Sequence, residues 1–151
     1  MKKFTMAMVL ATAALVGCES TSLTQGQSAM SNVSQAELEN HNWVLEKING
    51  ETITVMDGLS APNLEVKENF AINGNNGCNR YFGQGELQGA QFRVDKMGST
   101  MMACPPDAME LESAMTSVLT QWSDIQLTAE KRLVLKNDSY TLDFVLTPST
   151  N

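Results

Sequence analysis

Tyr140-Thr141-Leu142-Asp143-Phe144-Val145-Leu146-Thr147 sets Tyr140, Leu142, Phe144 and Leu146 alternately with Thr141, Asp143, Val145 and Thr147. Successive side chains of a strand point to opposite faces, so this period of two predicts a β-strand with one buried side. The same pattern recurs upstream. Ile53 and Val55 alternate with Thr52 and Thr54, Leu64 and Val66 with Glu65 and Lys67, and Phe92 and Val94 with Gln91, Arg93 and Asp95; Phe70 and Ile72 follow Asn69. Asn49-Gly50, Asp57-Gly58, Asn73-Gly74 and Asn137-Asp138 read as turns between such runs. Short strands with frequent turns predict a mainly β fold, an antiparallel sandwich or barrel.

One segment departs from the pattern. Behind Pro105-Pro106-Asp107, the apolar residues Leu111, Met115, Val118, Leu119 and Trp122 fall on one helical face. Prolines are tolerated in a first helical turn, where their missing N–H has no partner to lose. Asp107 with Glu110 resembles a capping box, and Asp107, Glu110 and Glu112 suit the positive end of the helix dipole. A single helix of about four turns between two groups of strands is expected. Met97, Met101, Met102, Met109 and Met115 cluster around it; helix-to-sheet packing is favoured over an adaptable apolar groove.

The remainder of the chain bounds address and organisation. With 151 residues and 42% hydrophobic content there is room for one ordinary domain. Ten basic against 17 acidic residues leave a net charge of −7, which argues against a nucleic-acid partner. Met1-Lys2-Lys3 precedes an apolar run, Phe4 to Val16, of thirteen residues. Crossing a bilayer takes about 20, so the run is read as a signal-peptide core. It ends in Leu15-Val16-Gly17-Cys18, which resembles the bacterial lipobox. The resemblance implies cleavage after Gly17 and lipidation (palmitate or a similar acyl chain) of Cys18. Several acyl chains hold a protein firmly at a membrane where one does not. Glu19 in place of Asp after the cysteine points, by analogy, to the outer membrane and a periplasm-facing domain. Loss of Lys2 and Lys3 with the leader leaves 8 basic and 17 acidic residues, a net −9.

Glu19 to Leu38 is rich in Ser, Thr and Gln and has no apolar period, so residues 18–38 are read as lipidated cysteine and tether, with a reach of about 25 Å. Residues 39–151 then form the domain, expected as a monomer. His41, the one histidine, is expected at the domain boundary and exposed.

Two segments carry a resemblance. They are Asn73-Gly74-Asn75-Asn76-Gly77-Cys78-Asn79-Arg80-Tyr81-Phe82-Gly83 and Met97-Gly98-Ser99-Thr100-Met101-Met102-Ala103-Cys104-Pro105. With His41-Asn42-Trp43-Val44-Leu45 upstream they resemble the META domain family, the HslJ-like group of small bacterial envelope proteins. The matching positions are Trp43, Gly77, Cys78, Asn79, Arg80, Gly83, Thr100, Met102 and Cys104, and the match runs from about Asn42 to Leu146. The resemblance implies a compact antiparallel β-barrel-like fold with one helix packed on it, and an association with heat shock and novobiocin tolerance.

The same residues can be read for chemistry. Once Cys18 is lipidated, Cys78 and Cys104 are the remaining thiols; in an oxidising periplasm they read as a disulfide, with two buried free thiols as the alternative. A zinc site lacks ligands, since His41 offers only one. The Asn73–Asn79 run lacks the carboxylates of a calcium loop and reads as a tight turn. Gly83-Gln84-Gly85 does not fit a dinucleotide loop. No cofactor and no metal are expected. Arg80 and Tyr81 are weighed as recognition residues against a solvated charge; Trp43 is read as a core anchor. No nucleophile–base pair stands out, and a hydrolase using His41 is the least favoured reading. The expected function is a non-enzymatic envelope lipoprotein, a stress-protective or binding module. Its partners would be the membrane through Cys18 and an envelope protein or small amphiphile. The alternative is an inhibitor of an envelope-attacking lysozyme or protease, to which a net −9 chain would be drawn if the enzyme is cationic.

Overall fold

A computed structural model describes residues 32–148. The expectations for the leader, for Cys18 and for the stretch 19–31 lie outside the described residues.

The elements run α1 (Gln35–Leu38), β1 (His41–Ile48), β2 (Glu51–Thr52), β3 (Asn63–Val66), a 3-10 turn (Glu68–Phe70), β4 (Ala71–Asn75), β5 (Arg80–Gln88), β6 (Gln91–Ser99), α2 (Pro106–Thr120), β7 (Ser123–Leu127), β8 (Arg132–Lys136) and β9 (Thr141–Thr147). Every strand pairing is antiparallel. From β3 to β9 each strand lies beside the next in sequence, and β3 lies beside β1. Pairing of β1 with β9, through Trp43↔Leu146, Val44↔Val145 and Leu45↔Phe144, closes the sheet. β2 pairs only with Lys47 and Ile48 of β1. The result is an eight-stranded antiparallel barrel made of β1 and β3–β9, with one main helix. The thinnest junction is β6–β7, which pair only through Gln91↔Asp124 and Phe92↔Ser123.

The inward positions are filled. Trp43, Leu64, Val66, Ile72, Phe92, Leu133, Leu135, Leu142 and Phe144 are all buried. Each such side chain contributes roughly 1.5–3 kcal/mol by leaving water. In an eight-stranded barrel side chains of this size can reach the axis.

Helical segments cover the ends. Val33 just before α1 and Leu38 at its last position join the core. The N–H and hydroxyl of Ser34 donate to Glu37 Oε2 at 2.8 and 2.7 Å, starting α1 and holding the Glu37 carboxyl below its usual range. Val33 and α1 therefore belong to the packed unit, six residues before the expected boundary at residue 39. Two apolar residues in a polar stretch carry no period, but they suffice to bury that stretch. α2 crosses the opposite end. It buries Ala114, Met115, Val118 and Leu119, and Asn137 Nδ2 of the β8–β9 turn donates to Ser117 O at 3.2 Å.

Several local expectations need correction. Asp107 is not a cap: Pro105 takes the N-cap position, with no side-chain cap bond. Trp122 lies past the helix, where Arg93 stacks on its ring at 4.6 Å. Ile53 and Val55 lie outside the strands, since β2 ends at Thr52. Asn73-Gly74 sits inside β4 and is not a turn. A Cβ on Gly74 would collide with the Asn63 carbonyl and lie 2.6 Å from the Tyr81 ring, so glycine is there for close packing. Asn49-Gly50 is the tight turn expected of it, with φ of 52° and 84°.

Candidate functional site

The β4–β5 loop (76–79) and the β6–α2 loop (100–105) meet at the end of the barrel covered by α2. Gly77, at φ 108°, lies so close to the helix that a Cβ would sit 2.8 Å from Leu111 Cβ. Only glycine is comfortable in that conformation and that space. Cys78 and Cys104 are joined as a disulfide with Cα atoms 6.0 Å apart, tying the two loops covalently.

Asn79 is the centre of this corner and is 1% exposed. Its Oδ1 accepts the Met102 N–H at 2.8 Å and the Thr100 hydroxyl at 2.9 Å. Its Nδ2 donates to Glu112 Oε2 on α2 at 2.9 Å and to Cys78 Sγ at 3.3 Å. Its own N–H donates to Asn76 Oδ1 at 2.8 Å, and its carbonyl accepts Asn76 N–H at 2.9 Å. One buried amide thus ties a strand start, two loops and a helix together. Asn79 and Asn76 are both buried, so the bond between them is the costliest to lose, while Met102, Thr100 and Glu112 lie nearer to solvent. Thr100 adds a two-way link to β5: its Oγ1 accepts Arg80 N–H at 3.1 Å and its N–H donates to Arg80 O at 3.0 Å.

A second polar chain runs from this corner to the barrel seam. Asn75 N–H donates to Asn63 Oδ1 at 2.9 Å, Asn63 Nδ2 to Asn42 Oδ1 at 2.6 Å, and Asn42 Nδ2 to Thr147 Oγ1 at 2.9 Å. Tyr81 is a core residue and not a recognition residue; its buried hydroxyl donates to Asn63 O at 2.8 Å. Burial pushes its phenol well above the usual tyrosine range.

The outside of the same corner is apolar. Met101 is 97% exposed, Phe82 61%, Met102 57% and Met109 40%. The packing expected of the methionines holds for Met115, which is fully buried, and for Met97, which packs against the core from the edge. It fails for Met101, Met102 and Met109, because the first two belong to a loop and the third to the outer face of α2. Phe82 lies across the neighbouring strand: a Cβ on its partner Gly98 would sit 2.6 Å from Cζ of its ring. Arg80 shares this outer face of β5 and is exposed. Gly83 is likewise forced small, since a Cβ would meet Val94 and approach the Asp95 carbonyl at 2.9 Å.

Gly77, Cys78, Asn79, Arg80, Thr100, Met102 and Cys104, singled out in the sequence, meet at this corner, whereas Gly83 lies farther along β5 against Val94 and Asp95. Trp43 does not join them; it lies in the barrel interior beside His41, with ring centroids 5.7 Å apart. His41 is not freely exposed as expected. Its Nδ1 is buried and unpartnered, as is Trp43 Nε1. Glu112, Phe82 and Gly98 were missed. Glu112 had registered only as a charge near a helix start, and a glycine opposite an aromatic is invisible until the strand register is known.

Surface clefts lie elsewhere. One of about 450 Å³ is lined by Gln35, Phe70, Leu87 and Trp122. Another, of about 320 Å³, lies between Ile48, Ile53, Tyr140 and Leu111, with the carboxylates of Glu51 and Glu110 at its walls.

Comparisons with known proteins agree with this architecture. The META domain model matches residues 36–149. Heat shock protein HslJ of Escherichia coli (strain K12) is 29% identical over 120 residues, covering 79% of this chain and 83% of HslJ. A protein solved by NMR superposes with a TM-score of 0.65 at 29% identity, over 75% of this chain and 94% of that one. A Burkholderia xenovorans protein, also solved by NMR, shares the fold with a TM-score of 0.60 at 22% identity, over 99% of this chain and all of that one. With the family model spanning the barrel from α1 through β9, this chain belongs to the META domain family.

Proposed function

We propose that this chain is a non-enzymatic lipoprotein, anchored through Cys18 in the outer membrane and facing the periplasm, that acts as a stress-protective binding module. The observation that carries the binding reading is the corner itself. Phe82, Met101, Met102 and Met109 present apolar surface to solvent on a frame fixed by the disulfide and by Asn79. Soluble proteins tend to keep such surface inside unless it meets a partner. A rigid frame spares a binder the entropy of ordering its loops. Because the interior is filled, a ligand is expected on this surface and not in a lumen. The stress role is supported by the likeness to a protein named for heat shock; the anchor is supported by the lipobox and by the apolar run before it.

The test is position-specific photo-cross-linking in intact cells under heat stress. A probe at Phe82 or Met101 should give a discrete adduct, and a probe at Lys131 should not. Equal adducts at both places, or at neither, would end the reading. Mass spectrometry of envelope-derived protein should show an acylated Cys18 with residues 1–17 removed.

A second reading, inhibition of an envelope-attacking enzyme such as a lysozyme or protease, draws on charge. The cleft holding Glu51 and Glu110 over Ile48, Ile53 and Leu111 suits a basic side chain with an apolar stem. Lysozyme should then be retained at low salt and released at high salt; lack of retention at low salt removes this reading.

A further inference from the structure

The large exposed apolar side chains are Phe82 and three methionines, Met101, Met102 and Met109, at 97%, 57% and 40% exposure. A thioether is apolar until it is oxidised; its sulfoxide is polar and disrupts the apolar contacts it made. Methionine is thus a contact residue whose polarity an oxidant changes, where leucine would not respond.

Which sulfurs react is set by access. Met115, on the inner side of α2, is 0% exposed, and Met97 packs against the core. The frame beneath the corner is insensitive to the same chemistry. Both thiols of the described residues are already joined as Cys78–Cys104. Asn79 holds Met102 by its backbone N–H and carbonyl, not by its side chain. Met109 is likewise held by its N–H, which donates to Pro105 O at 3.1 Å. Oxygen added to these sulfurs therefore alters the surface and leaves the bonds under it in place.

We propose that Met101, Met102 and Met109 are modification sites, oxidised to sulfoxides by a peroxide, and that the change makes the docking corner polar and releases what it holds. The release rests on the binding reading of the corner; the site of oxidation does not. In the step, a sulfur lone pair attacks one peroxide oxygen. An S–O bond forms and the O–O bond breaks. The departing hydroxide takes the proton of the transferred oxygen and leaves as water. Each sulfur gives up two electrons, which reduce one peroxide. A methionine sulfoxide reductase reverses the step with two thiols, which become a disulfide while the oxygen leaves as water.

The probe is hydrogen peroxide, added to the full chain and to the variant M101L/M102L/M109L. Peptide mapping over time should find sulfoxide first at Met101, then at Met102 and Met109, with Met115 roughly tenfold slower than Met101. The oxidised parent should elute earlier from a hydrophobic-interaction column and melt where the untreated parent melts, while the elution of the variant moves far less. In heat-stressed cells, peroxide should abolish the Phe82 cross-link of the parent, sulfoxide reductase should restore it, and the variant should keep it throughout. Oxidation of Met115 as fast as Met101, unfolding of the oxidised parent, an equal elution shift in the variant, or a Phe82 adduct that survives full oxidation would each overturn the proposal. An untreated parent with no Phe82 adduct contradicts the docking reading, and the release with it; mapping and elution then still decide where the chain is oxidised.

Discussion

Asn79 grips Met102 at both ends of one residue: its Oδ1 takes the Met102 N–H at 2.8 Å while its Nδ2 lies 3.5 Å from the Met102 carbonyl. The two residues are 23 apart in sequence and belong to different loops. Through this contact a buried amide sets the position of an exposed thioether, so the interior of the corner determines what its surface presents.

Asn79→Ala should therefore be among the most damaging single changes outside the apolar core. It strands the Met102 N–H, the Thr100 hydroxyl and the Glu112 carboxylate. These partners are part-exposed and can turn to water, so the cost is that of several net hydrogen bonds, about 1–3 kcal/mol in urea unfolding. Hydrogen exchange at the Met102 amide should speed up by more than global unfolding explains.

Reducing the Cys78–Cys104 disulfide removes a cross-link that closes a 26-residue loop. The chain-entropy model gives about 3.5 kcal/mol. The urea midpoint should fall on reduction, and a Cys78→Ser/Cys104→Ser variant should be insensitive to reductant.

Gly98 lies beneath the Phe82 ring, so Gly98→Ala must displace that ring. A cost of about 1–3 kcal/mol is expected from overpacking. In a Phe82→Ala background the same change should cost little. The coupling shown by that double-mutant cycle measures the aromatic–glycine contact directly. Gly74→Ala should cost more than Gly98→Ala, because the Asn63 backbone stands in the way as well as the Tyr81 side chain.

Tyr81 gives the alkaline limb of stability. Its phenol is raised in the folded state by burial, against an unfolded value of about 10. Below pH 10 both states hold the proton and stability does not depend on it. Above pH 10 the unfolded chain releases the proton while the folded chain keeps it, so stability falls as pH rises. Urea midpoints should drop from about pH 10 upward. Tyr81→Phe should lose about 1 kcal/mol at neutral pH, for the hydrogen bond to Asn63, and show a flatter alkaline limb.

Much of the barrel is legible in the sequence. Strands β3, β6 and β9 each carry a clean alternation, and α2 carries a helical face. What alternation cannot carry is closure. The pairing of Trp43 with Leu146 joins the first and last strands, and a sandwich would have shown the same local periods. Asn73-Gly74 was misread because a glycine in a strand and a glycine in a turn look alike until the neighbour that needs the space, here Tyr81, is known. The corner was visible as a motif but not as a mechanism. Three of the partners of Asn79 lie 21 to 33 residues away, and no local rule connects an asparagine in one loop with the backbone of another. The exposed methionines were read as packing because composition does not say which side of a loop faces water.

The most direct test of a binding corner on an inert frame is the double change Phe82→Ser/Met101→Ser, assayed for both thermal unfolding and survival of heat stress in cells lacking the native protein. Both side chains are exposed, so the melting temperature should stay near that of the parent while protection is lost. Full protection by a folded protein with this corner made polar would contradict the binding role assigned to it.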